Sequence, residues 1–218
     1  MSIKRFDLIA FDVDGTLVDD TVFVWETLHD HHRTDRASRD MAFEKYMAGE
    51  WSYRQWFEHD IRLLTEAGAN HSTIQEAISG MRLMEGALDT LAAIRNSGAR
   101  LAIISGSLDI VVEKFGLADY FDDIYLNHIG FDSQGRLSEW EPTPYDVCDK
   151  ATGLKDLARR YGIPMERTAF IGDNFNDVAV ARVAGFSIAF NCKSDELAKT
   201  ADVTVPGGDL RHVLPYLV

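Results

Sequence analysis

Short apolar runs recur along this chain, and three of them stop at residues with chemistry to offer. Leu8-Ile-Ala-Phe11 reads as a fully buried strand that ends in Asp12-Val13-Asp14 before Gly15 breaks it. Leu101-Ala-Ile-Ile104 ends in Ser105-Gly106-Ser107, and Thr168-Ala-Phe-Ile-Gly172 ends in Asp173. Further strands are expected near 123–127 and 186–190, with helical spacing between them. Ala87–Asn96 is one such helix, closed by Ser97-Gly98. Alternation of this kind predicts an α/β fold, a doubly wound and mainly parallel sheet. Asp132-Ser-Gln-Gly135, between short apolar stretches, predicts a hairpin near the site.

Residues 18–85 follow another rhythm. Helices are expected over Thr21 to about Arg33 and around Arg39–Ala48, with capping boxes Ser52/Gln55 and Ser72/Gln75 opening two more. Four helices inserted after the first strand predict an α-helical cap, leaving 1–17 and 86–218 as the α/β core. Most of the cap's aromatic residues recur at helical spacing and belong to its own core. Trp51 and Tyr53, which precede or open a helix, are the expected substrate-facing positions. His29, His31, His32, His59 and His71 match no structural-zinc spacing and read as solvated helix positions.

A chain of 218 residues at 46% hydrophobic composition can bury a full core and carry a smaller inserted domain. Its formal charge of −13 speaks against a nucleic-acid partner. Only Cys148 and Cys192 are present, so the expectation is reduced thiols in a cytoplasmic protein, with Cys148 a packing residue. Neither an apolar leader before the first strand nor a membrane-length stretch is apparent.

In an open parallel sheet, ligands bind at the carboxyl ends of the strands, so Asp12 and Asp14 are expected at the mouth of a crevice. Asp12 suits both a hard metal and attack on phosphorus, while Asp14 can offer the metal its backbone carbonyl and keep its side chain for proton transfer. Ser105 and Gly106 have the layout that holds a phosphate by a hydroxyl and backbone amides. Lys150 heads an amphipathic segment, and Asp173 and Asp177 lie four apart at the third strand's end, Asp173 placed for a metal and Asp177 behind it. Alternatively, Asp12, Asp14 and Gly15 are ordinary strand-end turn residues.

The ordered set DVDGT, IISGS, a lone Lys before a helix, and GDNFND resembles the haloacid dehalogenase superfamily, in its phosphoserine-phosphatase-like branch, over essentially the whole chain. The resemblance implies a Rossmann-like core and an Mg²⁺-dependent phosphatase acting on a small phosphorylated metabolite through an aspartyl-phosphate. It implies that Asp12 is the nucleophile, Asp14 the general acid/base, and Ser105, Gly106 and Lys150 the phosphate holders. Asp12, Asp14 and Asp173 would bind Mg²⁺, supported by Asp177 and Asn176. Asp14 argues against dehalogenation, since dehalogenases of the superfamily lack an acid there. The positions that grip the amino acid in phosphoserine phosphatases fall on Thr21 and near Asp60, so the expected substrate is a different small phosphomonoester. A phosphomutase and a non-catalytic binding module on the same fold are the alternatives. No oligomeric state is implied.

Overall fold

A computed structural model describes residues 5–147 and 149–218. Cys148, expected as a packing residue, and the residues before Arg5 lie outside the described residues. Seven strands form one sheet: β1 (Leu8–Phe11), β4 (Arg100–Leu108), β5 (Asp123–Phe131), β6 (Leu137–Glu141), β7 (Thr168–Gly172), β8 (Phe186–Phe190) and β9 (Val203–Val205). Their spatial order is β6-β5-β4-β1-β7-β8-β9, parallel throughout except for β6, which returns antiparallel beside β5 through the expected hairpin. All four residues of β1 are buried, which is why they read as an unbroken apolar run. With β4 on one side and β7 on the other, β1 sits where the winding reverses, and a crevice opens at such a point. Among the described residues no helix is long and apolar enough to cross a membrane.

Between β1 and β4 the chain makes a helical excursion. It leaves through β2 (Val18–Asp19) and returns through β3 (Arg82–Leu83), which pair as a short antiparallel ribbon that the apolar pattern does not announce. The ribbon encloses α1 (Val24–His32), α2 (Arg36–Met47), α3 (Tyr53–Glu66) and α4 (His71–Ala77). Ser52 and Gln55 form the expected capping box on α3. At α4 the cap lies elsewhere: Asn70 accepts from Ser72 and Thr73 and closes a box with Thr73, so the Ser72/Gln75 pairing does not form. Asn70 wins because its short carboxamide reaches both free amides of the first turn. Val24, Leu28, Phe57, Ile61, Leu64 and Ile74 of these helices join Phe11, Leu17 and Leu108 in one continuous apolar cluster, which seats the helical layer on the sheet.

The remaining helices flank the sheet. They include α5 (Ala87–Ser97), ending at Gly98 as expected, α6 (Asp109–Lys114), α7 (Lys150–Tyr161) and the short α8 (Val178–Ala181). Lys150 is the first residue of α7, and the loop before it aims its side chain back under the sheet edge.

Candidate active site

Backbone geometry at the sheet edge gathers the acids. One residue beyond β1, the Asp12 amide donates to the Ile171 carbonyl at 2.9 Å and ties the first strand's end to the third motif's strand. The chain then turns tightly, with the amides of Leu17 and Val18 both 2.9 Å from the Val13 carbonyl. Gly15 makes this turn at φ +75°, and a Cβ there would fall inside the Asp173 carboxylate. Both the positive φ and the close approach therefore require glycine.

Lys150, fully buried, sets the electrostatics of this edge. Its ammonium donates to Asp12 Oδ1 at 2.8 Å and to Asp177 Oδ1 at 2.7 Å. Burial works against its charge, but Asp12, Asp177 and Asp146 outweigh that and hold it protonated well above the usual lysine range. The other Asp177 oxygen accepts from the amides of Asp173 and Asn174, at 2.9 and 3.3 Å. Burial and the Asp12 and Asp177 carboxylates push Asp173 up to about 8, against the pull of its partner Lys193.

Asp14 is held differently. One oxygen accepts from the Val24 amide at the head of α1 and the other from the Ser107 hydroxyl, each at 2.7 Å. Burial raises its carboxyl to about 7, and the two donors do not cancel that rise. A carboxyl poised near neutrality serves as both proton donor and acceptor.

Asp12, Asp173 and Asp177 each present a carboxylate oxygen within 4.8 Å of the others. Asp177 spends both oxygens on Lys150 and backbone amides, so Asp12 and Asp173 are the acids with capacity left. Asn176 Oδ1 is buried with no hydrogen-bond partner among the described residues. Buried carboxylates that repel one another beside an orphaned amide oxygen fit a hard divalent cation, which takes oxygen ligands. Asp14 is absent from this cluster, its carboxylate being committed to Val24 and Ser107.

A cavity of about 230 Å³ joins the acids to the helical layer. The core contributes Asp12, Asp14, Ser105, Gly106 and Asn176 to its wall, and the excursion contributes Phe23, Trp25, Phe43, Trp56, Arg39 and Asp60. Neither of the expected substrate-facing residues, Trp51 and Tyr53, lines it. Trp51 packs against His59 with Lys45 over its ring, and Tyr53 turns its hydroxyl to Asn127. Position at a helix start did not free them, because the turn before α3 is itself packed against neighbouring helices.

Two histidines also depart from expectation. His31 and His71 are exposed, but His29 and His59 are buried on either side of the buried Asp60, at 3.7 and 3.5 Å from its carboxylate oxygens. Hydroxyl partners allow it: Thr34 lies 2.7 Å from His29 Nδ1 and Ser38 lies 3.1 Å from His59 Nε2. Burial lowers the His29 pKa, against the opposing pull of Asp60. Ser107, Lys193 and Asp146 were not singled out from the sequence, although Ser107 stands inside the second motif.

The geometry has counterparts in known proteins. A family model for haloacid dehalogenase-like hydrolases matches residues 6–185. The chain is 28% identical to the phosphoserine phosphatase of Methanocaldococcus jannaschii, over 98% of this chain and 99% of that protein. It is 32% identical to a phosphoserine phosphatase of Mycobacterium tuberculosis over 96% of this chain, but spans only 48% of that relative's length. Among solved structures, a phosphoserine phosphatase carrying an analogue of its phospho-aspartyl intermediate superposes with a TM-score of 0.77 at 27% identity, covering 99% of this chain and 100% of that one. A substrate-bound phosphoserine phosphatase complex gives 0.75 at 26% identity, with coverage of 99% and 100%. The chain belongs to the haloacid dehalogenase-like hydrolases, in the phosphoserine-phosphatase-like branch of that superfamily's phosphatases.

Proposed function

We propose that this protein is an Mg²⁺-dependent phosphatase that hydrolyses a small phosphomonoester through an aspartyl-phosphate on Asp12. The observation that carries the reading is the pairing of two unlike acids. Asp12 is held beside a permanently charged Lys150 and stays available for attack, whereas Asp14 sits near neutrality with its own donors. Asp12 attacks phosphorus while Asp14 protonates the departing oxygen; Asp14 then takes a proton from the water that hydrolyses the acyl phosphate. Ser105, the amides around Gly106, and Lys150 hold the phosphoryl oxygens, and Asp177 keeps Lys150 in place. Asp12, Asp173 and the backbone carbonyl of Asp14 would hold Mg²⁺, with Asn176 adjacent. The ion's contribution when bound is to neutralise and orient the phosphoryl group.

Residues 18–85 act in this reading as a cap that closes on the leaving group. The cavity's size favours a metabolite over a polymer chain. Asp60, near the position where a count along the cap places the arginine of phosphoserine phosphatases, lines that cavity as a buried acid. That charge reversal supports a phosphomonoester other than phosphoserine. The test is a screen of phosphorylated metabolites for Mg²⁺-dependent phosphate release, with phosphoserine among them. Metal-independent release, or none from any phosphomonoester, overturns the function; a clear preference for phosphoserine overturns only the substrate.

A further inference from the structure

The second motif does not continue as regular strand. Ile104 and Leu108 on β4 are four residues apart, yet their partners Tyr125 and Asn127 on β5 are two apart, so Ser105–Ser107 bulge out of the ladder. The Gly106 carbonyl thereby loses its place in the sheet and needs another donor. It has two. Asn127 Nδ2 donates to it at 2.7 Å from the core, and Trp25 Nε1 donates at 2.9 Å from α1.

Asn127 is wholly buried and its bonding is fully accounted for. Its Oδ1 accepts from the Thr143 amide at 2.8 Å and from the Tyr53 hydroxyl at 3.0 Å, and its second Nδ2 hydrogen reaches that same hydroxyl at 2.9 Å. Tyr53 is the first residue of α3, and the carboxylate of the buried Asp146 packs where a Gly106 side chain would stand. Two aromatic residues of the helical layer thus bear on one peptide group, Trp25 directly and Tyr53 through Asn127.

That peptide group has another end. Because it is planar and trans, fixing the Gly106 carbonyl fixes the Ser107 N–H on the opposite side, and this N–H donates to Ser105 Oγ at 3.1 Å. We propose that Asn127 is a positioning residue, through which the closed helical layer sets the orientation of the Ser105 hydroxyl and so the affinity of the loop for phosphate. The inference rests on the reading of Ser105 as a phosphate ligand. Without the Trp25 and Tyr53 contacts, Asn127 alone would hold the Gly106 carbonyl, and its carboxamide would lose the hydroxyl that braces it.

The experiment is a double-substitution cycle in the full-length protein, read by phosphate release from p-nitrophenyl phosphate, by inhibition with inorganic phosphate, and by thermal melting. Asn127→Ala is expected to lower kcat by about 10²-fold, the scale of an ångström-level misplacement, and to weaken phosphate inhibition in parallel. Tyr53→Phe alone is expected to cost about tenfold but less than about twofold once Asn127 is gone, because its hydroxyl acts through that residue. Losses that multiply, or a folded Asn127→Ala protein with unchanged kcat and phosphate inhibition, overturn the proposal. If Asn127→Ala does not fold, Asn127→Asp keeps the shape and the Thr143 contact while losing the donor to Gly106; unchanged kinetics there overturn it equally. Calorimetric titration with inorganic phosphate needs no turnover, so this test stands apart from failure of the phosphatase reading: a wild-type protein that hydrolyses nothing still reports whether Asn127 governs phosphate binding.

Discussion

The sheet edge and the helical layer meet in one cavity but are built on opposite terms. At the edge every acid has an assigned partner: Lys150 for Asp12 and Asp177, Val24 and Ser107 for Asp14, Lys193 for Asp173. In the helical layer, Arg39 Nε and Asp60 Oδ1, of two residues that line the cavity, are buried without hydrogen bonds among the described residues. Preorganisation marks a place where the same charge develops in every turnover. Unspent hydrogen-bonding capacity marks a place that waits for a particular leaving group, since a buried polar atom left unpaired is costly. Substitutions at the edge should therefore harm all substrates alike, and substitutions of the layer's cavity-lining side chains that make no contact with the edge should reorder them.

The comparison breaks most visibly at Asp12. Asp12→Asn keeps the size of the side chain but removes the nucleophile and the negative charge, so turnover of every phosphomonoester should fall to background. Substantial metal-dependent release by this variant would put the nucleophile elsewhere. Asp14→Asn should cost less, about 10²–10⁴-fold on alkyl phosphates, the range of general acid–base catalysis. In single-turnover phosphorylation of Asp12, aryl phosphates should suffer less because their leaving oxygen needs little protonation; equal losses would remove Asp14 from the acid role.

Chelation sharpens the same contrast through stability. Asp14, Asp173 and Asp177 have folded-state pKa values raised to about 7, 8 and 6 from an ordinary value of 3.8. Through these three groups the folded, metal-free protein binds more protons than the unfolded chain across pH 4–8, and their contribution to stability falls as pH rises through that window. In EDTA the melting temperature should drop between pH 5 and pH 8, and Mg²⁺ should recover most of it at the upper end. A metal-free melting temperature that climbs over that range would contradict the crowding of acids described here. The smallest effect is expected in the layer. Asp60→Asn or Trp56→Ala should shift KM or the ranking among metabolites by about tenfold while changing p-nitrophenyl phosphate hydrolysis little. Uniform loss across substrates would make these residues part of the packing alone.

The same division governs what is legible in the sequence. Asp12, Ser105 and Asp173 each follow or close an apolar strand run, so period and position alone bring them to one edge. The sheet class, the hairpin and the four helices follow from comparable local patterns. Contacts of the layer lack such a signal, because Trp25 meets Gly106 across 81 residues and Tyr53 meets Asn127 across 74. His29 and His59 look like surface polar residues until packing of α1 against α3 encloses Asp60 between them. Position along a helix also says little about which aromatic faces a cavity, which is why Trp25 and Trp56 line it and Trp51 does not.

The short ribbon at the base of the layer carries a consequence for how such proteins diversify. Val18 and Leu83 are paired neighbours, so everything between them is, to the sheet, a single closed loop. The entropy of closing a loop grows only with the logarithm of its length, and each doubling costs about 0.6 kcal/mol. The intervening helices can therefore change length at small entropic cost while β1 and α5 keep their places, provided the contacts that reach down from the layer are kept, the Val24 amide on Asp14 and the Trp25 indole on Gly106.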